Sequence, residues 1–370
     1  MSTVRPLAAT DLPALAQLFV KTFRPGLDAA LPAFLSYLGQ HYLTGPVASA
    51  DLPSLVHADD AGRLTGFVGV NSLAMRLGER RLRAAICGAL MVDDPKGDPL
   101  AGARLLKAFL AGPQDVSLSE TANDVSTALW TRLGGLVLPD YSMDWLRILR
   151  PLSFAVDRAS GRVPALRLLA PVVGRLDRLV ERRSGHGGLR WSSLGGQTVR
   201  GVVVEAIDQP AFAAAFATLA GTSRLAPDLD PTALAHMVAE AASIRRHGHW
   251  QTVAVRTAPA GTTIGVAGYY LTPGRLASVL QIVAAKGRYG AVFDALLSHL
   301  HAAGAVAAMG RTQPVLIDAI LNRRVALLPF VTTVVHSRDP DILAAVTAGE
   351  AFINGFVGEK WSRLVEDDFE

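Results

Sequence analysis

The sequence predicts an α/β protein of layered α+β type, two mixed domains in tandem, each with a mostly antiparallel sheet flanked by helices. Three observations predict it. The chain has 370 residues, 50% of them apolar, which exceeds one ordinary core and suits two domains of typical size. Within residues 1–150, stretches of strand-like alternation give way repeatedly to helical periodicity, as in a layered α/β domain. Residues 200–340 then repeat the same order of elements, and an internal repeat implies a duplicated unit.

In the first copy, VRPLAATD reads as a short strand running into a helix capped at Thr10 or Asp11, with Leu12, Leu15, Leu18 and Phe19 on one face. A second amphipathic helix is expected from Leu31 to Tyr42. Three strand-like segments follow, SLVHADD, LTGFVGVNSLAMRL and RLRAAICGALMV, separated by turns at Asp60-Ala61-Gly62 and Gly78-Glu79. They form an antiparallel meander. The loop DDPKGDPLAG leads into helix ARLLKAFLAG, and strand DVSLSE, helix NDVSTALWTRLGG and an extended segment from Tyr141 to Leu149 complete the copy.

The second copy opens with strand GVVVEAI and helices QPAFAAAFATLAG and PTALAHMVAEAASIRRHG. A second meander follows in QTVAVRT, TIGVAGYYLT and LASVLQIVAA. After the loop KGRYG come helix AVFDALLSHLHAAG, strand AVAAMGR, helix QPVLIDAILNRRVALL and strand FVTTVVHS. Residues 341–370 add a helix and an acidic end, EDDFE.

The formal charge of +4 is unevenly spread. Residues 150–190 hold nine arginines against Asp157, Asp177 and Glu181, so the rest of the chain sums to −2. This connector, residues 151–199, reads as a basic amphipathic helix with Leu166, Leu169, Val172, Val173, Leu176, Leu179 and Val180 on one face. Arg167, Arg175, Arg178, Arg182 and Arg183 lie elsewhere on it, and Pro171 kinks or restarts it. Its plain role is to pack against both domains with its arginines in water, and a peripheral contact with a membrane surface or anionic polymer is a second possibility. Two nearly neutral domains with a cationic connector do not fit a nucleic-acid binder, which spreads basic and aromatic residues over a domain face.

No run reaches the roughly 18 uninterrupted apolar residues of a membrane span, and MSTVRPLAATD carries an acid and a proline where a signal peptide needs an apolar run. A cytoplasmic location is expected. The single cysteine, Cys87, sits in AAICGALMV as a buried small hydrophobe and leaves no internal disulfide to form. His247 with His249, and His299 with His301, are two apart and do not make a convincing metal site, so no metal is expected. No G-x-S-x-G elbow, Walker loop or H-E-x-x-H pattern occurs.

The element order of each copy resembles the GNAT fold of N-acyltransferases, over residues 3–150 and again over 200–340. Two stretches of the first copy carry the match. MVDDPKGDPLAGARLLKAFL is similar to the family's strand, loop and helix that hold the donor. NDVSTALWTRLGG is similar to its later helix, N-x-x-A-x-x-L-Y-x-K-x-G-F, with Asn123, Leu129, Arg132 and Gly134 in register.

The resemblance implies transfer from acetyl-CoA or another acyl-CoA to an amine of a small molecule or peptide. A loop feeding a helix N-terminus offers unpaired N–H groups and the positive end of the helix dipole to the diphosphate. In the first copy the implied donor-binding residues are Leu90, Met91, Val92, Gly97, Leu100, Ala101, Gly102, Ala103 and Asn123, with the N–H groups around Leu90 to Val92 on the thioester oxygen. Aligned by Leu105 and Leu106, the family's Q/R-x-x-G-x-G/A falls on Gly97, Leu100 and Gly102, and only Gly102 matches. Asp93, Asp94 and Asp98 bring negative charge to that loop, against Lys96 alone. The second copy reverses the balance: Lys286, Gly287, Arg288 and Gly290 have suitable charge but not the family spacing.

Glu120, at the end of DVSLSE, is the expected base, where strands of this fold part. Trp130 stands where many relatives carry the tyrosine that protonates the leaving thiolate, and an indole N–H is no acid at pH 7. Tyr141 is the nearest candidate replacement. At most one copy is expected to work as an acyltransferase. Two alternatives remain open: a noncatalytic tandem binding or scaffold protein, and a Fem-like aminoacyl transferase, although neither copy contains the helical arm usual in that class.

Overall fold

The computed structural model of the chain describes residues 2–25, 27–28, 30–184, 199–321 and 323–366. In chain order the elements are β1 (Thr3–Pro6), α1 (Leu12–Phe23), α2 (Pro32–Gly39), β2 (Leu55–Ala58), β3 (Leu64–Leu77), β4 (Arg80–Val92), α3 (Ala101–Leu110), β5 (Val116–Ala122), α4 (Asp124–Arg132) and β6 (Leu136–Val137). Next come α5 (Pro139–Ser142), β7 (Met143–Ile148), α6 (Pro151–Ser160), α7 (Ala170–Ser184), β8 (Val202–Ala206), α8 (Gln209–Ala220), β9 (Leu225–Pro227) and α9 (Pro231–Ser243). The chain continues through β10 (His249–Thr257), β11 (Thr263–Leu271), β12 (Leu276–Ala284), α10 (Tyr289–Ala302), β13 (Ala307–Arg311), α11 (Pro314–Ile320), β14 (Ala326–Pro329), β15 (Thr332–Ser337) and α12 (Pro340–Thr347).

Local chemistry sets many of these boundaries. Asn123 caps α4 by accepting the Ser126 N–H at 2.9 Å, and Asp208 caps α8 by accepting the Ala211 N–H at 2.8 Å. Gly78, at φ +58°, turns β3 back into β4, a conformation that favours glycine. The second helix is shorter than expected: α2 ends at Gly39 and the chain widens into a π turn over Gln40–Thr44.

Two compact units result, and each draws on separated segments. Unit 1 comprises Met1–Pro139, Ser223–Met237 and Val331–Glu370, and unit 2 comprises Asp140–Thr222 and Val238–Phe330. Among the described residues, the unit 1 sheet runs β1-β2-β3-β4-β5-β15-β6, with β9 paired to β3. Leu15, Phe19, Phe34 and Phe67 pack on one face of it, and Leu105, Leu106, Phe109 and Trp130 on the other. The unit 2 sheet runs β14-β7-β13-β12-β11-β10-β8 among the described residues, around Trp145, Tyr269, Phe293 and Leu296.

These units do not end at residues 150 and 340, where the sequence copies were divided. Strand β7, the last strand of the first copy, joins the unit 2 sheet antiparallel to β13, with Ala307 opposite Ile148. Strand β15, the last of the second copy, joins unit 1 antiparallel to β5, with Val335 opposite Leu118. Alternation marks a half-buried strand but does not name its sheet, so the exchange leaves no trace in the pattern.

The connector is also part of a unit, since α6 and α7 belong to unit 2. Pro171 lies in the first turn of α7 and restarts the helix after a 3-10 segment at Pro164–Leu169. Val172, Leu176 and Leu179, from its apolar face, are 55%, 44% and 48% exposed. The rest of the expected connector, residues 185–198, lies outside the described residues, as does the acidic end at 367–370.

Candidate functional site

The central strands of both units pair and then part in the same way. In unit 1, β4 runs parallel to β5 only over Ala84↔Val116, Ala85↔Ser117 and Ile86↔Leu118. Two residues further on, β4 bulges: Val70 faces Cys87 and Gly69 faces Ala89, so Gly88 has no opposite residue on β3. Such a bulge bends a strand, and no β4–β5 pairing continues past it, so the two strand ends part in a wedge. In unit 2 the pairing runs from Leu276↔Ala307 to Val279↔Gly310, and Leu280 is the bulged residue opposite Gly268 and Tyr269.

The unit 1 wedge holds two buried carboxylates. Glu120, the base expected from the sequence, is fully buried near the end of β5. Its partner comes from the chain's end. Glu359 lies in a buried, mostly irregular segment that follows α12, and its Cβ is 3.9 Å from where a Cβ on Gly88 would sit. The Glu359 carboxylate accepts the Glu120 N–H at 3.0 and 2.9 Å and the Thr121 N–H at 2.8 Å. It also accepts the hydroxyls of Ser119 at 2.9 Å and Thr121 at 2.6 Å. Glu120 accepts the Gly355 N–H at 3.1 Å, and its carboxylate lies so close to Gly358 that a Cβ there would have to displace it.

Burial, and then the neighbouring Glu120 carboxylate, push Glu359 up to about 7, against the opposing hydrogen bonds from Thr121, Glu120 and Ser119. The buried surroundings of the pair are rich in aromatic rings. Trp361 stands 5.5 Å from His41 between ring centroids, the Ser362 hydroxyl is 3.3 Å from that of Tyr37, and Tyr42 covers Gly69. Burial, reinforced by the charge of His236, lowers His41 to about 3, so its ring is neutral at pH 7. Burial raises the Tyr42 hydroxyl and the Cys87 thiol above their usual ranges.

The loop after β4 is closed on itself. Asp94 accepts the N–H groups of Lys96 at 3.1 Å and Gly97 at 2.9 Å, and Asp98 accepts that of Leu100 at 3.2 Å. The chain's own carboxylates thus occupy three of the donors a diphosphate would use. Asp98 is paired with Arg104 at 2.9 Å and Asp93 with Lys21 at 2.5 Å. Gly102 is a packing glycine, with Leu129 3.4 Å and Val92 3.5 Å from where its Cβ would sit. Ala101 is buried, Ala103 is half-buried and Leu100 is exposed. Met91 is buried at the end of β4 between half-buried Leu90 and Val92.

Asn123 is the cap of α4. Trp130 is buried in the core, 5.9 Å from Phe109 between ring centroids. Tyr141 is buried in unit 2, whereas Glu120 is in unit 1. Glu359 is the residue that sequence reading missed, and only a mostly apolar run around it, AFINGFVGEKW, hinted that the tail is not a solvated appendage.

The unit 2 loop is different. Lys286, Gly287 and Arg288 are exposed, Gly287 takes φ +74°, and no side chain caps α10 at Arg288. Arg323, held by Asp294 at 2.7 and 2.9 Å, lies 2.7 Å from where a Cβ on Gly290 would sit. Beneath α10, the Tyr269 hydroxyl contacts His299 at 2.8 Å and donates to Gln251 at 2.9 Å. Burial raises Tyr269 to about 12 and lowers His299. Among the described residues, no three His, Cys, Asp or Glu side chains gather into a metal-binding group, and no helix is long and apolar enough to cross a membrane.

No family model matches the sequence, and no curated protein matches it. Solved structures match its fold. A GCN5-related N-acetyltransferase from Anabaena variabilis aligns at TM-score 0.60 and 10% identity, over 92% of this chain and 74% of that one. Another from Kribbella flavida aligns at TM-score 0.54 and 14% identity, over 93% of this chain and 73% of that one. Eis1 from Mycobacterium abscessus aligns at TM-score 0.52 and 14% identity, over 93% and 76%. The chain therefore has the mixed α/β fold of the GCN5-related N-acetyltransferases, the GNAT fold, with two mixed sheets flanked by helices.

Proposed function

We propose that the chain is an acyl-CoA-dependent N-acyltransferase, with transfer at the parted ends of β4 and β5 in unit 1. The observation that carries this reading is the buried Glu120 and Glu359 pair beside the Gly88 bulge. A bulge frees backbone N–H groups from the ladder, and such groups can hold a thioester oxygen as it gains charge. In the reaction the acceptor nitrogen bonds to the thioester carbon, the carbon–sulfur bond breaks, and the nitrogen loses a proton. Glu359, raised to about 7, takes that proton near neutral pH, and the N–H groups of Glu120 and Thr121 hold its carboxylate in place. The leaving thiolate takes its proton from solvent. The acceptor is a small-molecule or peptide amine.

Calorimetry and thermal melting with acetyl-CoA and longer acyl-CoAs test the reading. A donor at ~100 times its dissociation constant stabilises the native state by ~2.7 kcal/mol. Absence of any response to all of them excludes it.

A second reading is favoured by the closed loop of unit 1, where Asp94 and Asp98 already hold the N–H groups of Lys96, Gly97 and Leu100. In it the donor's diphosphate binds at Lys286, Gly287, Arg288 and Gly290 of unit 2, and unit 1 is noncatalytic. Gly102→Asp against Gly290→Asp separates the two: loss of donor binding only in the second favours unit 2.

A further inference from the structure

Unit 2 contains a cavity of about 490 Å³, lined by α6, α7 and the turns that precede β12 and β13. That volume falls in the range of small-molecule sites, about 300–1,000 Å³. It lies beside the start of β12 at Leu276, whereas the loop at 286–290 follows the end of that strand. The cavity is therefore distinct from the loop considered for the donor.

Its charge is one-sided. Arg150, Arg178 and Arg275 line it, with Asp157 as the carboxylate. Asp157 is committed: it pairs with Arg275 at 2.8 Å and accepts the Leu276 N–H at 3.3 Å. Arg150 donates to the His301 carbonyl at 2.9 Å, in the last turn of α10, and Arg178 donates to the Gly174 carbonyl at 3.2 Å. Among the described residues, neither of these two guanidinium groups forms an ion pair. Asp177, next to Arg178 in sequence, is buried under the start of α6, where it accepts the N–H groups of Leu152 and Ser153 at 3.0 and 2.8 Å and the Ser153 hydroxyl at 2.6 Å.

We propose that this cavity binds a phosphate-bearing small molecule. Two planar guanidinium groups with donors to spare match a tetrahedral dianion better than a single carboxylate. Val156, Val306 and Pro273 add apolar lining for a short organic body beside the phosphate. The same phosphate chemistry is found in a lipid headgroup, and the exposed Val172, Leu176 and Leu179 on α7 make that source worth a separate arm of the test.

The test uses the full chain, with glycerol 3-phosphate and inorganic phosphate in calorimetry. Co-sedimentation with phosphatidylcholine vesicles, with and without phosphatidic acid, forms the second arm. Binding of either soluble probe, or of the phosphatidic acid vesicles, is expected to weaken roughly tenfold or more in Arg150→Gln and Arg178→Glu, and to weaken with added salt. Gly102→Asp and Gly290→Asp should leave it unchanged. Response to the soluble probes assigns a free phosphate compound, and response to the vesicles alone assigns a headgroup. Arg178 is exposed, so its variant keeps the test open if Arg150→Gln does not fold. No binding by any probe, binding indifferent to both arginine variants, or loss of binding in a loop variant instead would overturn the proposal.

Discussion

Glu359 accepts the backbone N–H of Glu120 through both carboxylate oxygens, at 3.0 and 2.9 Å, although the residues are 239 positions apart. A side chain from the chain's end therefore fills donors that β5 exposes where it leaves β4. The proposed chemistry depends on that carboxylate losing its proton near neutral pH.

The first prediction concerns rate. With Glu359 raised to about 7, acyl transfer should rise with pH through that value and level off above it. Glu359→Gln should lower kcat by roughly 100-fold or more and flatten the profile. A variant that keeps the wild-type profile would remove Glu359 from the reaction.

A second prediction concerns stability, where two buried groups act in opposite directions. Glu359 binds its proton more tightly when folded, so its contribution is complete below its ordinary value of 4.5 and is lost as pH rises through about 7. His41 holds its proton less tightly when folded, so its contribution is complete above 6.5 and is lost as pH falls toward about 3. Denaturant titrations should show that Glu359→Gln makes stability rise more steeply with pH between these ordinary values, by on the order of 2–3 kcal/mol. His41→Asn should tilt the curve the other way.

The loop after β4 should bind anions better once its own carboxylates are removed. Asp94→Ala combined with Asp98→Ala frees the N–H groups of Lys96, Gly97 and Leu100, and should tighten acyl-CoA binding by roughly tenfold. Unchanged affinity in calorimetry would mean that the donor does not use this loop.

Trp145 tests the strand exchange. It lies on β7 and packs on Phe293 with ring centroids 5.0 Å apart, so Trp145→Ala should cost about 3–5 kcal/mol. Hydrogen exchange should lose protection in β12, β13 and α10 of unit 2 and retain it in β4 and β5. The reverse pattern would contradict the exchanged pairing.

The sequence shows most of the elements and little of their partnership. LTGFVGVNSLAMRL and RLRAAICGALMV are legible as mostly apolar runs because the sheet is covered on both faces, and the turn at Gly78-Glu79 ties them together. The charges of Asp93, Asp94 and Asp98 are equally visible, and the structure adds that two of them turn inward onto the loop's own backbone. Glu120 stands out in the sequence because strand ends are where the resembled fold parts. Glu359 does not, because its partners lie on another segment of the chain and no local period marks it. The bulge at Gly88 is hidden for a different reason: Ala85 and Cys87 pack on one face of the sheet and Ala89 and Met91 on the other, so the alternation changes phase there, but both faces are covered and the apolar run shows no break.

The exchange of β7 and β15 has a consequence for how the protein is made. During synthesis β6 emerges long before β15, the strand that joins it to β5, so the first unit cannot close its sheet until residue 337 has left the ribosome. A nascent chain ending near residue 150 holds β7 without its partners β13 and β14. The first half of the polypeptide must wait, with an open sheet edge, for the second half to supply its missing strand. Such an edge invites pairing with other chains, so chaperone dependence should be highest during that interval.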